Sequence, residues 1–273
     1  MTNDIGAQFR DLHQRGNPFI LANAWDVGSA KMLAGLGAQA IATSSAAHAF
    51  TLGRPDGGHV TRDEALAHAQ DLVAATNLPV SGDFENGYGD APEDCAETVR
   101  LSAEVGLAGI SIEDEDFANG TAYDFDLAVD RIRAASSAAR ALPGDFVLVA
   151  RADGVMNGHY DLKEAIRRIR AMDEAGADCV YVPLPPGVAE LKQVLAATTK
   201  PVNALAVGPL ADVPRAEFAN MGVARISLGS ALARVTHRIL HDTATAMFEN
   251  GDFSGLKHSI SARKIDALLT NTP

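Results

Sequence analysis

EVGLAGISIED, residues 104–114, joins two kinds of structure across one glycine. The residues up to Gly106 close a helical segment, and the run after it has the near-continuous apolar character of a strand buried on both faces. The same order of helix, glycine and strand recurs in GLGAQAIATS (35–44), EAGADCVYVP (174–183) and NMGVARISLG (220–229). A glycine just past a helix supplies the left-handed residue that stops it, so the four copies mark one repeated module.

Between the copies lie four more apolar runs: FILAN (19–23), PVSGDF (79–84), FVLVARA (146–152) and PVNALA (201–206). Amphipathic stretches such as TRDEALAHAQDLVAAT (61–76) and LKEAIRRIRAMDEAG (162–176) connect them, with apolar residues at i, i+3 and i+4. Eight strands, each followed by a helix, fit one (β/α)₈ barrel, a fold of about 250 residues, better than two domains. No Pro/Gly/Ser-rich linker interrupts the series, so the expectation is a single α/β TIM-barrel domain over residues 1–273. A doubly wound sheet is the alternative, but no GxGxxG follows the first strand. The chain after residue 230 reads as two helices, roughly 231–249 and 253–269. One of them should close the barrel, leaving the other to pack outside or on a partner.

Thirty-five acidic residues against 23 basic ones give a formal charge of −12, with no basic cluster longer than Arg167-Arg168. Such a surface repels a phosphate backbone, so no nucleic-acid partner is expected. Cys95 and Cys179 stand far apart without metal-type neighbours and read as buried, reduced thiols. The opening MTNDIGAQFRDLHQ lacks the apolar core of a signal peptide, and no run approaches the ~18 apolar residues of a membrane span. A cytoplasmic location and no membrane partner are expected.

A barrel places its chemistry at the C-terminal ends of its strands. There the sequence offers Thr43, Ser44 and Ser45, then Asp83 and Glu85, then Glu113 and Asp114, then Arg151 and Asp153, with Asn203 inside the 201–206 strand. Residues two apart on a strand share a side, so Asp83 and Glu85 should meet, and paired negative charge raises one pKa unless a cation lies between. An oxygen-rich, sulfur-free set favours a hard divalent ion, and Mg²⁺ keeps several waters, which Glu113 could hold. A lone DxE can equally be a solvated loop or a cap; its repetition on the next strand favours the metal. Arg151 either clamps an anionic substrate bidentately or forms a structural salt bridge to Glu113 or Asp153. Thr43-Ser44-Ser45 suits an oxyanion or simply makes a turn. His48, His59 and His159 lack HExxH-type spacing and read as surface or loop-packing residues, while Trp25 either walls the pocket or packs its loop.

NAWDVGSAKMLAGLGAQAIATSSAAHAFTLGRPDGG (23–58), the DxExGYG of 83–89, ISIED (110–114) and VARADG (149–154) resemble the isocitrate lyase and phosphoenolpyruvate mutase superfamily. The resemblance spans essentially the whole barrel. It implies a helix exchanged between subunits, hence a homodimer or homotetramer. It also implies Mg²⁺, or Mn²⁺ in its place, and a 2-oxo acid such as pyruvate, oxaloacetate or 2-oxoglutarate, with a C–C or P–C bond made or broken through an enolate. By the same resemblance Asp83 is the direct metal ligand, and Glu85, Glu113 and Asp56 hold its waters. The resemblance also gives Thr43, Ser44, Ser45 and Arg151 to the substrate, and Trp25 and Asn203, from their place in the sequence, are added as candidate substrate contacts.

Departures are equally plain. The segment EDEDFANGTAYDF (113–125) lacks the cysteine of isocitrate and methylisocitrate lyases, so neither of those activities is expected. Asn119 is the nearest residue to the gating asparagine of the mutases, which leaves Arg151, Glu113 and Asn119 as candidate catalytic residues. VPLPPG (182–187) offers no polar anchor where relatives carry Glu or His. The expectation is a C–C lyase or phosphonomutase-like branch without the lyase cysteine loop, the alternative being a non-catalytic 2-oxo acid binder. A Schiff-base aldolase is disfavoured because no strand carries a lysine.

Overall fold

The computed structural model describes residues 4–270. Eight parallel strands close into a barrel: β1 (Phe19–Asn23), β2 (Ile41–Ala42), β3 (Val80–Asp83), β4 (Gly109–Glu113), β7 (Val147–Arg151), β8 (Cys179–Tyr181), β9 (Val202–Leu205) and β10 (Arg225–Ser227). β10 pairs back onto β1, which shuts the ring. Two short strands, β5 (Glu115–Asp116) and β6 (Thr121–Ala122), form a separate antiparallel hairpin above β4. The (β/α)₈ expectation therefore holds for all eight barrel strands.

The module glycines behave as their position requires. Gly37, Gly106, Gly176 and Gly222 have φ of 94°, 88°, 105° and 93°, a region L side chains avoid, and each stops a helix just before a strand.

Alternation along the strands decides what faces inward. Leu148 and Ala150 pack against the outer helices, whereas Val147 and Val149 belong to the inner cluster, so Arg151 is aimed into the barrel. The same rule sends Ser81 and Asp83, Ser111 and Glu113, Asn203, and Arg225 and Ser227 inward from their own strands.

A helix over Ile5–Leu12 closes the N-terminal end of the barrel. Its Phe9 is fully buried, edge-on to Phe19 at 6.0 Å, while Arg10 reaches Asp145 and Asp178, which precede β7 and β8. The mouth at the opposite end is thus the open one.

The C-terminal segment forms helices Ala231–Asn250 and Ala262–Thr270, joined through a 3₁₀ turn at Ser254–His258. The second helix starts nine residues later than the sequence suggests. It packs on the helix Val27–Gly35, where Leu268 lies against Gly35. The first buries only Ala233 and leaves Val235, Ile239, Leu240 and Phe248 at least 60% exposed. Among the described residues no helix is long and apolar enough to cross a membrane, and both cysteines are free and buried.

Candidate functional site

A cavity of about 250 Å³ opens at the C-terminal mouth. Of the residues expected there, Ser44, Ser45, Asp56, Asp83 and Arg151 line it. Arg151 is the hub. Its Nε and Nη2 grip Asp153 at 3.1 and 2.6 Å, Nη1 reaches Asp83 Oδ1 at 2.6 Å, and Nη2 lies 3.1 Å from Glu113 Oε2. Of the two alternatives read from the sequence, the structure shows the salt bridge to Asp153 and Glu113, with Asp83 added as a third partner. Burial pulls its pKa down, but Asp153, Glu113 and Asp83 more than reverse this and hold it well above the ordinary arginine value.

Asp83, at the end of β3, is held on all sides. Ser45 donates its N–H and hydroxyl to Oδ2, each at 3.0 Å, and the Ser111 hydroxyl meets Oδ1 at 3.3 Å. With Arg151 added, both oxygens are filled, so direct ligation of an ion would require one donor to withdraw. Thr43 supports from behind: its hydroxyl accepts the Asp83 N–H at 2.7 Å. The β2 end therefore positions Asp83, and the Ser45 amide is committed to it.

Glu85 departs from the expected geometry. The strand ends at Asp83, and Glu85 takes a left-handed φ of 45°, so period-two alternation does not carry past Phe84. Its carboxylate turns to a neighbouring groove, facing the Gly58 amide at 3.3 Å. Only 2% exposed, it is pushed up to about 7 by desolvation, with Asp83 and Asp56 adding repulsion. Glu113 is raised well above its ordinary value by burial, with Asp153 and Asp83 adding to it against the pull of Arg151. Asp56, at the rim, is raised by desolvation and by Asp83.

Arg131 holds the loop that sets this geometry. Buried under Tyr123 at 4.2 Å, its guanidinium donates to the carbonyls of Asn86, Gly89 and Asp90. Within the loop Gly87 has φ 84°, and a Cβ there would lie 2.9 Å from Cys95 Sγ. Behind Asp153 a second network ties Asp114 to Tyr160 at 2.7 Å, Arg168 at 2.9 Å and the Asp153 amide at 2.8 Å.

Thr43, Glu85 and Glu113 are not part of the cavity wall, and three further expected residues also stand off it. Asn119 is exposed at the hairpin turn, bonded to Asp116. The Trp25 carbonyl accepts from His68 while its ring lies outside the wall. Asn203 is fully buried one layer behind, donating to Ser227 at 2.8 Å. The histidines also pack: His48 stacks on His68 at 3.8 Å, and His159 meets Glu115 at 2.9 Å. Reading the sequence missed Arg225, Ser227 and Arg234 as wall residues.

The acids can be tested as a metal site on their own terms. Asp83, Glu113 and Asp153 surround Arg151, with Asp56 at the rim and Glu85 in the adjoining groove, and Asp56, Glu85 and Glu113 are raised by desolvation. Surplus negative charge built from oxygen donors fits a hard divalent cation. Among the described residues no three Asp, Glu, His or Cys side chains are grouped so as to hold a metal ion.

Fold and site together define the class: a (β/α)₈ barrel with an acid-rich, arginine-centred C-terminal mouth. The chain belongs to the phosphoenolpyruvate phosphomutase family, whose pattern it matches over residues 9–248. It is 38% identical to an uncharacterised Mycobacterium tuberculosis protein, over 81% of both chains. It is 32% identical to the 2,3-dimethylmalate lyase of Eubacterium barkeri, over 70% of this chain and 67% of that one. A crystal structure of a lyase/mutase-type protein from Burkholderia cenocepacia superposes with TM-score 0.92 at 42% identity, covering 97% and 95% of the two chains. The last two are named as a lyase and a lyase/mutase.

Proposed function

We propose that this chain is a divalent-cation-dependent lyase of small 2-oxo or 2-hydroxy carboxylates, using Mg²⁺ or, in its place, Mn²⁺, and cleaving a C–C or P–C bond through an enolate. The surplus of confined carboxylate around Arg151 carries the reading, because such charge is costly to bury without a cation. Asp83, Glu85, Glu113 and Asp56 would hold the ion, in part through water. When bound, the ion supplies charge stabilisation for an oxygen that turns anionic.

The chain's own residues set the rest. Arg151 and Ser45 lock the Asp83 carboxylate in one orientation, and Asp153, buried behind Arg151, locks the guanidinium. Without an ion Glu85 is pushed up to about 7 by desolvation, and a cation held beside it would restore its charged form. The exposed apolar row on helix Ala231–Asn250 supports a homodimer or homotetramer. A screen of malate-like and phosphonate substrates with Mg²⁺ tests the activity. Turnover abolished by Asp83→Ala is expected, and turnover that persists in that variant would exclude this site.

A further inference from the structure

Arg225 sits in the barrel interior, on β10, in register with Asn203 and Phe19. Only 4% exposed, it nevertheless lines the mouth cavity. Its Nε and Nη1 have no hydrogen-bond partner, and among the described residues it makes no ion pair. Two more buried polar atoms lack partners: Asn203 Oδ1, on the neighbouring strand, and the Ser81 hydroxyl, elsewhere on the same cavity wall.

A guanidinium cannot shed its proton in a protein, so a buried one keeps its full charge. Reorienting the Asn203 amide could satisfy one N–H but would leave that charge unbalanced. No carboxylate nearby is spare for it. Asp83, the carboxylate that bears on it, is already held by Arg151, Ser45 and Ser111. Conversely Arg151, expected to clamp the substrate, has its donors taken by Asp83, Glu113 and Asp153. The buried cation free to meet a ligand in this cavity is therefore Arg225.

We propose that Arg225 is the anion receptor at the floor of the mouth cavity, and that the ligand accordingly carries two anionic groups, one near Asp83 and one on Arg225. This rests on the lyase reading and assigns the second anionic group of its substrate to Arg225. A cavity of about 250 Å³ has the bulk of roughly eight waters, enough for a four-carbon dicarboxylate. The missing polar anchor at 182–187 is then supplied from β10.

Two arms test it. In calorimetry with Mg²⁺, malate and lactate differ by one carboxylate, and the native protein is expected to prefer malate by about tenfold or more, the worth of one charge-assisted contact. Arg225→Met should bring that ratio close to one, while Arg225→Lys keeps part of it. In EDTA, malonate should raise the thermal midpoint of the native protein and leave that of Arg225→Met unmoved. An unchanged malate-to-lactate ratio in Arg225→Met, or an equal malonate shift in both proteins, would overturn the proposal. If the native protein binds neither acid with Mg²⁺, the lyase reading falls and the metal-free malonate arm alone decides the role of Arg225.

Discussion

Replacing Glu85 by glutamine removes a charge and keeps the shape, and its effect on stability should depend on pH in a defined way. Glu85 is buried and pushed from an ordinary value near 4.5 up to about 7. Between those values the folded protein binds more protons than the unfolded one, so the native Glu85 weakens the fold as pH rises through that window. At 1.36 kcal/mol per unit the full penalty is about 3 kcal/mol, reached above pH 7 and nearly absent below pH 4.5. In EDTA the Glu85→Gln protein should therefore melt close to the native one at pH 5 and above it at pH 8, by roughly 5 °C or more at about 2 °C per kcal/mol. Saturating Mg²⁺ should shrink the gap, because a cation beside the carboxylate restores its charged form. Thermal unfolding followed by circular dichroism measures both. An equal gap at pH 5 and pH 8, or a variant that melts lower at pH 8, would refute the claim that Glu85 is a confined, uncompensated acid.

Two further outcomes are expected. Arg131→Ala strips the donor from three loop carbonyls at 86, 89 and 90 and should destabilise by about 3 kcal/mol or more; a loss under about 1 kcal/mol in denaturant unfolding would contradict the bracing role. Sedimentation should find the native protein as a dimer or tetramer that Ile239→Asp with Phe248→Asp dissociates, and a native monomer would remove the assembly from the account.

The barrel was legible because each of its strands is an apolar run and four follow a helix-stopping glycine, signals that depend on local chemistry alone. The hairpin β5–β6 was not legible. Its strands are two residues each, too short to carry a hydrophobic period, and are held by the Asp116–Asn119 turn. The N-terminal plug escaped for a related reason, since its single deep anchor, Phe9, gains meaning only against Phe19 and His13. At the site, Asp83 and Arg151 could be placed because strand ends and alternation are visible in sequence. Glu85 was assigned to a strand geometry it does not have, since its left-handed backbone is set by tertiary braces such as Arg131. Arg225 left a signal that went unused: in VARIS it is a charge at an inward position of an otherwise apolar strand.

The central claim is that the Asp83-centred acids hold a divalent ion on which 2-oxo acid binding depends. Isothermal titration of pyruvate, oxaloacetate and 2-oxoglutarate, with Mg²⁺ and again in EDTA, tests it most directly. Binding of at least one acid only when Mg²⁺ is present, lost in a folded Asp83→Ala protein, is the expected result. Equal binding in EDTA, undiminished binding by Asp83→Ala, or no binding of any of the three would contradict it.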